Sequence, residues 1–170
     1  VMDGLIHELV HVCVANAGEV VLPLWLNEGL AVYYAGQYRF AQEAPGYVRG
    51  KTFLPTLREL ADSDIFDQEH GYALSYTIVE FMIREYGKEK IRRFIKEYPD
   101  YFALGVRSEM EFENAWHDYL RNQYVDPAPL PQWLAHREDL FQATLSPNPV
   151  SDYANLEFFA AGDDDFILRV

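Results

Sequence analysis

The sequence predicts a mainly α-helical chain that ends in a short β tail. Three observations carry this. Apolar residues recur at helical spacing in several segments of the first 124 residues. Glycine, proline and one capping pattern punctuate those segments. Past Leu145 the pattern changes to short strand-like runs parted by turn residues.

Taken in order, residues 2–17 read as a helix. Leu5, Ile6, Leu9, Val10, Val12 and Val14 lie nearly all round it, which predicts a buried helix, and Gly18 suits its C-terminal end. Pro23 precedes a second helix over about residues 25–37. Residues 39–52, with Pro45, Gly46 and Gly50, read as a loop, followed by a short helix over 56–61. A long helix is predicted over 70–86, ended by Gly87, and another over 88–98, stopped by Pro99. Ser108 with Glu111 three residues on is a capping-box pattern, opening a helix to about Tyr124. Pro127, Pro129 and Pro131 then mark residues 125–144 as a stiff linker or docking segment. Ser146-Pro147-Asn148-Pro149 reads as a turn. Strand-like runs follow at 153–159 and 165–170, with Gly162-Asp163-Asp164 between them.

The formal net charge of −13 argues against nucleic acid and against an anionic membrane surface, both of which recruit Lys and Arg. No apolar run is long enough to span a bilayer. The single cysteine, Cys13, excludes an internal disulfide and reads as a small buried side chain.

The chemistry is concentrated in the first helix. His7-Glu8-Leu9-Val10-His11 fits H-E-x-x-H. Residues four apart on a helix lie about 40° from each other around the axis, so both imidazoles reach one ion from one face. Glu8 stands about 100° round from His7 and so reaches a water at that ion without being a ligand. Two histidines and a glutamate on an otherwise apolar helix each need a partner, which a metal supplies. A third ligand is offered by Glu28, in Pro23-Leu24-Trp25-Leu26-Asn27-Glu28-Gly29-Leu30-Ala31. Two nitrogen donors and one oxygen donor leave a fourth position open, as a catalytic zinc site requires. Gly29 and Ala31 are small, which predicts close approach of the second helix to the first.

HELVH followed by LPLWLNEGLAVYY resembles the gluzincin clan of zinc metallopeptidases, and more narrowly the bacterial peptidase-MA-like family, distant relatives of the aminopeptidase N group. The resemblance covers roughly residues 2–124. It implies the helical C-terminal part of a zincin catalytic domain over residues 1–124, acting on peptide or protein substrates. It makes His7, His11 and Glu28 the Zn²⁺ ligands and Glu8 the general base. His70-Gly71-Tyr72-Ala73-Leu74-Ser75-Tyr76 resembles the clan's Y-x-x-G/S segment, whose tyrosine hydrogen-bonds the oxyanion. That match gives Tyr72, with Tyr76, one turn on, as the fallback. Asp3 is the local candidate for orienting an imidazole, while His70, His117 and His136 fit surface or core roles. Such a domain needs structure before the H-E-x-x-H helix, so the chain reads as the C-terminal part of a longer protein.

The tail carries a second resemblance. Leu145-Ser146-Pro147-Asn148-Pro149, followed by alternating strands, resembles the opening of a type A sorting domain of the type IX secretion system. It implies the start of a truncated β-sandwich over 145–170, recognition by the secretion machinery, and a bacterial protein secreted or held at the cell surface. Two competing readings stay open. One is a zinc-binding surface or adhesion module that does not hydrolyse, and the other is a metal-free helical domain. Aminopeptidase and endopeptidase are equally open.

Overall fold

The computed structural model describes residues 2–17, 20–124 and three strands within 142–169. It divides into two compact units, Val1–Pro127 and Ala128–Val170.

The first unit is helical. α1 spans Met2–Ala17, α2 Leu24–Tyr34, α3 Arg39–Gly50, α4 Ser63–Gln68, α5 Gly71–Glu97 and α6 Glu109–Tyr124. α5 is two helical segments that meet at Gly87, whose φ of 75° is open to glycine without a Cβ clash. The break falls where the sequence predicts one. α2 starts after Pro23, whose fixed φ and missing N–H suit a helix entrance. The capping pattern at α6 is met in half. Ser108 Oγ accepts from the Glu111 N–H at 3.2 Å, whereas the Glu111 carboxylate reaches back to the Arg107 N–H at 3.0 Å.

Three expectations are corrected. Residues 39–50 are helix α3 rather than loop, despite Pro45 inside it. Ala41, Ala44 and Val48 form a buried stripe at spacings of three and four, and packing of that stripe on α5 outweighs the local penalty of proline and glycine. α1 is buried on one side only. Val10 and Cys13 are buried and Ile6 and Val14 pack on the core, but Leu5 is 61% exposed and Val12 47%. The all-round apolar pattern therefore overstates its burial. Gly29 faces α5 rather than α1. A Cβ on Gly29 would lie 2.6 Å from the Ser75 carbonyl oxygen and 2.9 Å from Val79. The close approach that Gly29 permits is thus between α2 and α5.

α4 was not expected. Asp62 caps it, its carboxylate accepting from the Asp64 and Ile65 N–H groups at 3.0 and 3.2 Å. Short 3₁₀ turns occupy Glu59–Ala61 and Tyr101–Leu104. The core is built on α2 and α5, with Trp25, Leu26, Leu74, Ile78, Phe94, Phe112 and Trp116 fully buried.

The second unit contains three strands, β1 (Gln142–Pro147), β2 (Ala154–Phe159) and β3 (Asp165–Arg169), in one antiparallel sheet of order β1-β2-β3. β2 and β3 coincide with the two strand-like runs. β1 takes up Ser146 and Pro147, which the sequence places in a turn, and pairs Leu145 with Leu156. Gly18, the proline segment 125–141 and His136 lie outside the described residues.

Candidate metal centre

α1 and α2 bring the proposed donors together. His7 and His11, one turn apart on α1, set their Nε2 atoms 3.0 Å from each other. Their rings meet edge to face at 4.7 Å between centroids. Glu28, on the second turn of α2, reaches across. Its Oε2 lies 3.3 Å from His7 Nε2 and its Oε1 3.6 Å from His11 Nε2. All three side chains are half-buried. Close burial beneath Trp25, Leu26 and Leu30 fixes the face that α2 turns inward, so Glu28 is carried by a rigid element.

The spacing can be compared with what a cation demands. Donors bound tetrahedrally at about 2.0–2.1 Å sit about 3.3–3.4 Å apart. The observed separations of 3.0, 3.3 and 3.6 Å bracket that edge length. The 3.0 Å contact alone is also the length of an N–H···N hydrogen bond between the rings, so it is the joint approach of Glu28 to both nitrogens that marks the three as a donor set. Two nitrogens and a carboxylate are a borderline donor set that suits zinc. The residues present fit the ion.

The Nδ1 atoms of His7 and His11 are both buried and have no hydrogen-bond partner among the described residues. Ligating imidazoles ordinarily donate this N–H to a neighbouring oxygen. The Asp3 side chain, expected as one such neighbour, lies outside the described residues.

Glu8 is exposed, on the outer face of α1 with Leu5 and Val12. Tyr72 opens α5 beside the same centre. Its hydroxyl is held above the ordinary phenol range, first by burial and then by the carboxylates of Glu28, Asp67 and Glu8. The phenol therefore stays a donor. Phe40 stacks on its ring at 5.4 Å and Phe66 meets it edge-on at 5.1 Å. The fit is tight at the helix entrance. His70 takes a left-handed conformation (φ 54°), and a Cβ on Gly71 would sit 2.3 Å from the Phe66 ring. Gly71 thus lets Phe66 lie under Tyr72.

The fallback, Tyr76, is elsewhere. It is fully buried and packs against Tyr33 and Tyr38, at 5.3 and 6.0 Å. His70 turns its ring toward Tyr47 at 5.3 Å. His117 Nε2 lies 3.0 Å from the Pro55 carbonyl, and its ring is 4.8 Å from Trp116, a structural role. Cys13 is buried, and burial pushes its thiol up. The neighbours of Tyr72 on α3 and α4, Phe40, Phe66 and Asp67, were not singled out from the sequence. No motif marks them, and the proline and glycines of α3 predict a loop there.

A family model described as the Peptidase MA superfamily matches residues 2–116, which takes in every residue of this centre. No curated protein and no solved structure matches the chain.

Proposed function

The chain belongs to the Peptidase MA superfamily, and from that premise we propose that it is a zinc-dependent peptidase of the gluzincin kind. The observation that carries the proposal is the convergence of His7 Nε2, His11 Nε2 and the Glu28 carboxylate, all within 4.8 Å of one another. A zinc ion held there would polarise the scissile carbonyl and make water a nucleophile at neutral pH.

The chain's own residues then have distinct tasks. His7 and His11 donate neutral nitrogens, and Glu28 supplies the negative charge that balances a divalent cation. Glu8, adjacent in sequence to a ligand and open to solvent, takes the proton of the attacking water and passes it to the leaving amine. Tyr72 donates its hydroxyl to the oxygen that gains charge as the carbonyl becomes tetrahedral. A tyrosine phenol keeps its proton at neutral pH and so can donate.

Elemental analysis of the purified chain and cleavage of a peptide library, for wild type and Glu8→Gln, test the proposal together. The expected result is one zinc per chain in both, with cleavage in wild type and a loss of about 10²–10⁴-fold in Glu8→Gln. Active Glu8→Gln refutes the base assignment. Zinc without cleavage in the wild type identifies a non-hydrolytic zinc-binding module instead.

The tail supports a proposal about location. The Leu145-Ser146-Pro147-Asn148-Pro149 segment and the antiparallel strands around it fit the opening of a sorting domain, so the protein is exported to the cell surface or beyond. Expression of the full-length protein in a bacterium with a type IX system, with and without the segment that begins at Leu145, checks this. Identical distribution of the two forms overturns it.

A further inference from the structure

A cleft of about 170 Å³ opens at the start of α5, lined by Phe40, Phe66 and Tyr72 and by Glu43, Asp67 and His70. We infer that this cleft is a substrate subsite for one long cationic side chain, lysine or arginine, of the peptide that the centre cleaves. The inference rests on the peptidase reading and names its substrate class.

Position comes first. Tyr72 is a wall of the cleft, and one turn along α5 the Ser75 carbonyl packs against Gly29, the neighbour of Glu28 (2.6 Å from a Cβ placed there), so a side chain lodged in the cleft belongs to a peptide lying across the centre. Size comes next. Pockets for whole small-molecule ligands run to about 300–1,000 Å³, so this volume takes a single side chain.

Chemistry decides the class. The stacked Phe40 and Tyr72 rings, with Phe66 at their edge, offer apolar faces to a methylene stem and π-faces to a cation. Phe40 already carries the Arg39 guanidinium over its ring at 4.8 Å, which shows that this wall accepts one. The polar groups are acidic. Glu43 on α3 and Asp67 on α4 are both exposed, and neither is ion-paired among the described residues. Arg39, the cation over the Phe40 ring and one turn from Glu43 on α3, forms no ion pair with either carboxylate among the described residues. An apolar side chain would cover two carboxylates without compensation, and an acidic one would be repelled. The net charge of −13 adds long-range attraction for cationic peptides.

The test separates binding from hydrolysis. Zinc-loaded Glu8→Gln chain is titrated with end-blocked fluorescent peptides identical except for a central arginine, its neutral isostere citrulline, or glutamate. The arginine peptide should bind about tenfold tighter than the citrulline peptide. Salt should shrink the gap, and Glu43→Gln/Asp67→Asn should close it, with circular dichroism confirming an unchanged fold. Equal binding of the arginine and citrulline peptides, absence of binding included, overturns the inference. So does a double variant that keeps the preference. Cleavage by wild type with no arginine preference sinks the subsite and spares the peptidase reading. An arginine preference without cleavage by wild type does the reverse.

Discussion

A metal ligand is chosen by where its neighbours hold it. His7 and His11 are set by helical geometry alone, because any α-helix brings residues i and i+4 to one face. That part of the centre was therefore legible in five consecutive letters. Glu28 is a different case, since its approach to 3.3 and 3.6 Å depends on how α2 docks; the need for a third, oxygen donor and the resemblance singled it out, but no spacing rule fixes that docking. Replacing Glu28 by alanine should cost zinc, because two neutral nitrogens remain to hold a divalent cation. Elemental analysis of Glu28→Ala should show zinc well below one per chain, with helix content kept. Tyr72 is predicted to matter to rate rather than to binding. Loss of one oxyanion donor costs about 10²–10³ in kcat. Tyr72→Phe should lower kcat by that order and leave KM nearly unmoved, while Tyr76→Phe, deep in the core, should affect thermal stability and not kcat. A kcat loss in Tyr76→Phe with none in Tyr72→Phe would show that Tyr76 is the oxyanion donor instead. The ring stack that holds Tyr72 was not legible, because Phe40 and Phe66 come from helices that no sequence signal joined to it.

At the scale of elements, the instructive contrast is between two glycines. The sequence marks α3 as a loop because Pro45, Gly46 and Gly50 are each poor helix formers, with penalties of about 1 kcal/mol for glycine and 3 for proline. The buried stripe of Ala41, Ala44 and Val48 was present in the same letters, but alanine is a weak hydrophobic signal and the breakers masked it. The α2–α5 contact was hidden for another reason, since a close approach between helices leaves no periodicity in either one. Gly29 and Gly46 should therefore respond in opposite ways to alanine. At Gly29 the added methyl meets the Ser75 carbonyl at 2.6 Å, a backbone atom that cannot swing aside. Gly29→Ala should destabilise by about 1–3 kcal/mol and weaken zinc binding, because the next residue in line, Glu28, shifts with α2. At Gly46 nothing lies within 4 Å of the new methyl, and φ is helical. Gly46→Ala should stabilise by about 0.5–1 kcal/mol. Thermal melts of both variants, with zinc content beside them, check the pair. Loss of stability in Gly46→Ala would mean that α3 is not helical through that position.

For the whole molecule, the feature that composition foretold is an aromatic interior. Among the described tyrosines Tyr76, Tyr101 and Tyr119 are buried and most others half-buried, and a phenol buried with a carboxylate resists ionisation for two reasons at once. Tyr119 and Tyr124 both donate to Glu80 Oε2, at 2.8 and 2.5 Å, joining α6 to α5 around one buried carboxylate. Both phenols are pushed well above their usual range, by burial first and by the Glu80 charge second. Tyr33 and Tyr101 are displaced the same way, and Tyr34 is pushed up to about 12 by burial. In the unfolded chain all of these titrate near 10. A group whose folded pKa is raised leaves stability intact below its unfolded value, and the stability is lost as pH climbs toward the folded value. The helical unit should therefore hold its stability up to about pH 10 and lose it steeply between there and about pH 12. Helix content by circular dichroism and tyrosinate absorbance, followed together against pH, should change in a single coincident step, since the phenols ionise only as the fold opens. Glu80→Gln supplies the control. The amide oxygen still accepts from a phenol but carries no charge, so both hydrogen bonds weaken, the fold starts less stable, and the transition should move to lower pH. Tyrosines that titrate smoothly near pH 10 in a still-helical chain would show that the phenols are not sealed in the core, and that the Glu80 cluster does not bind α6 to α5.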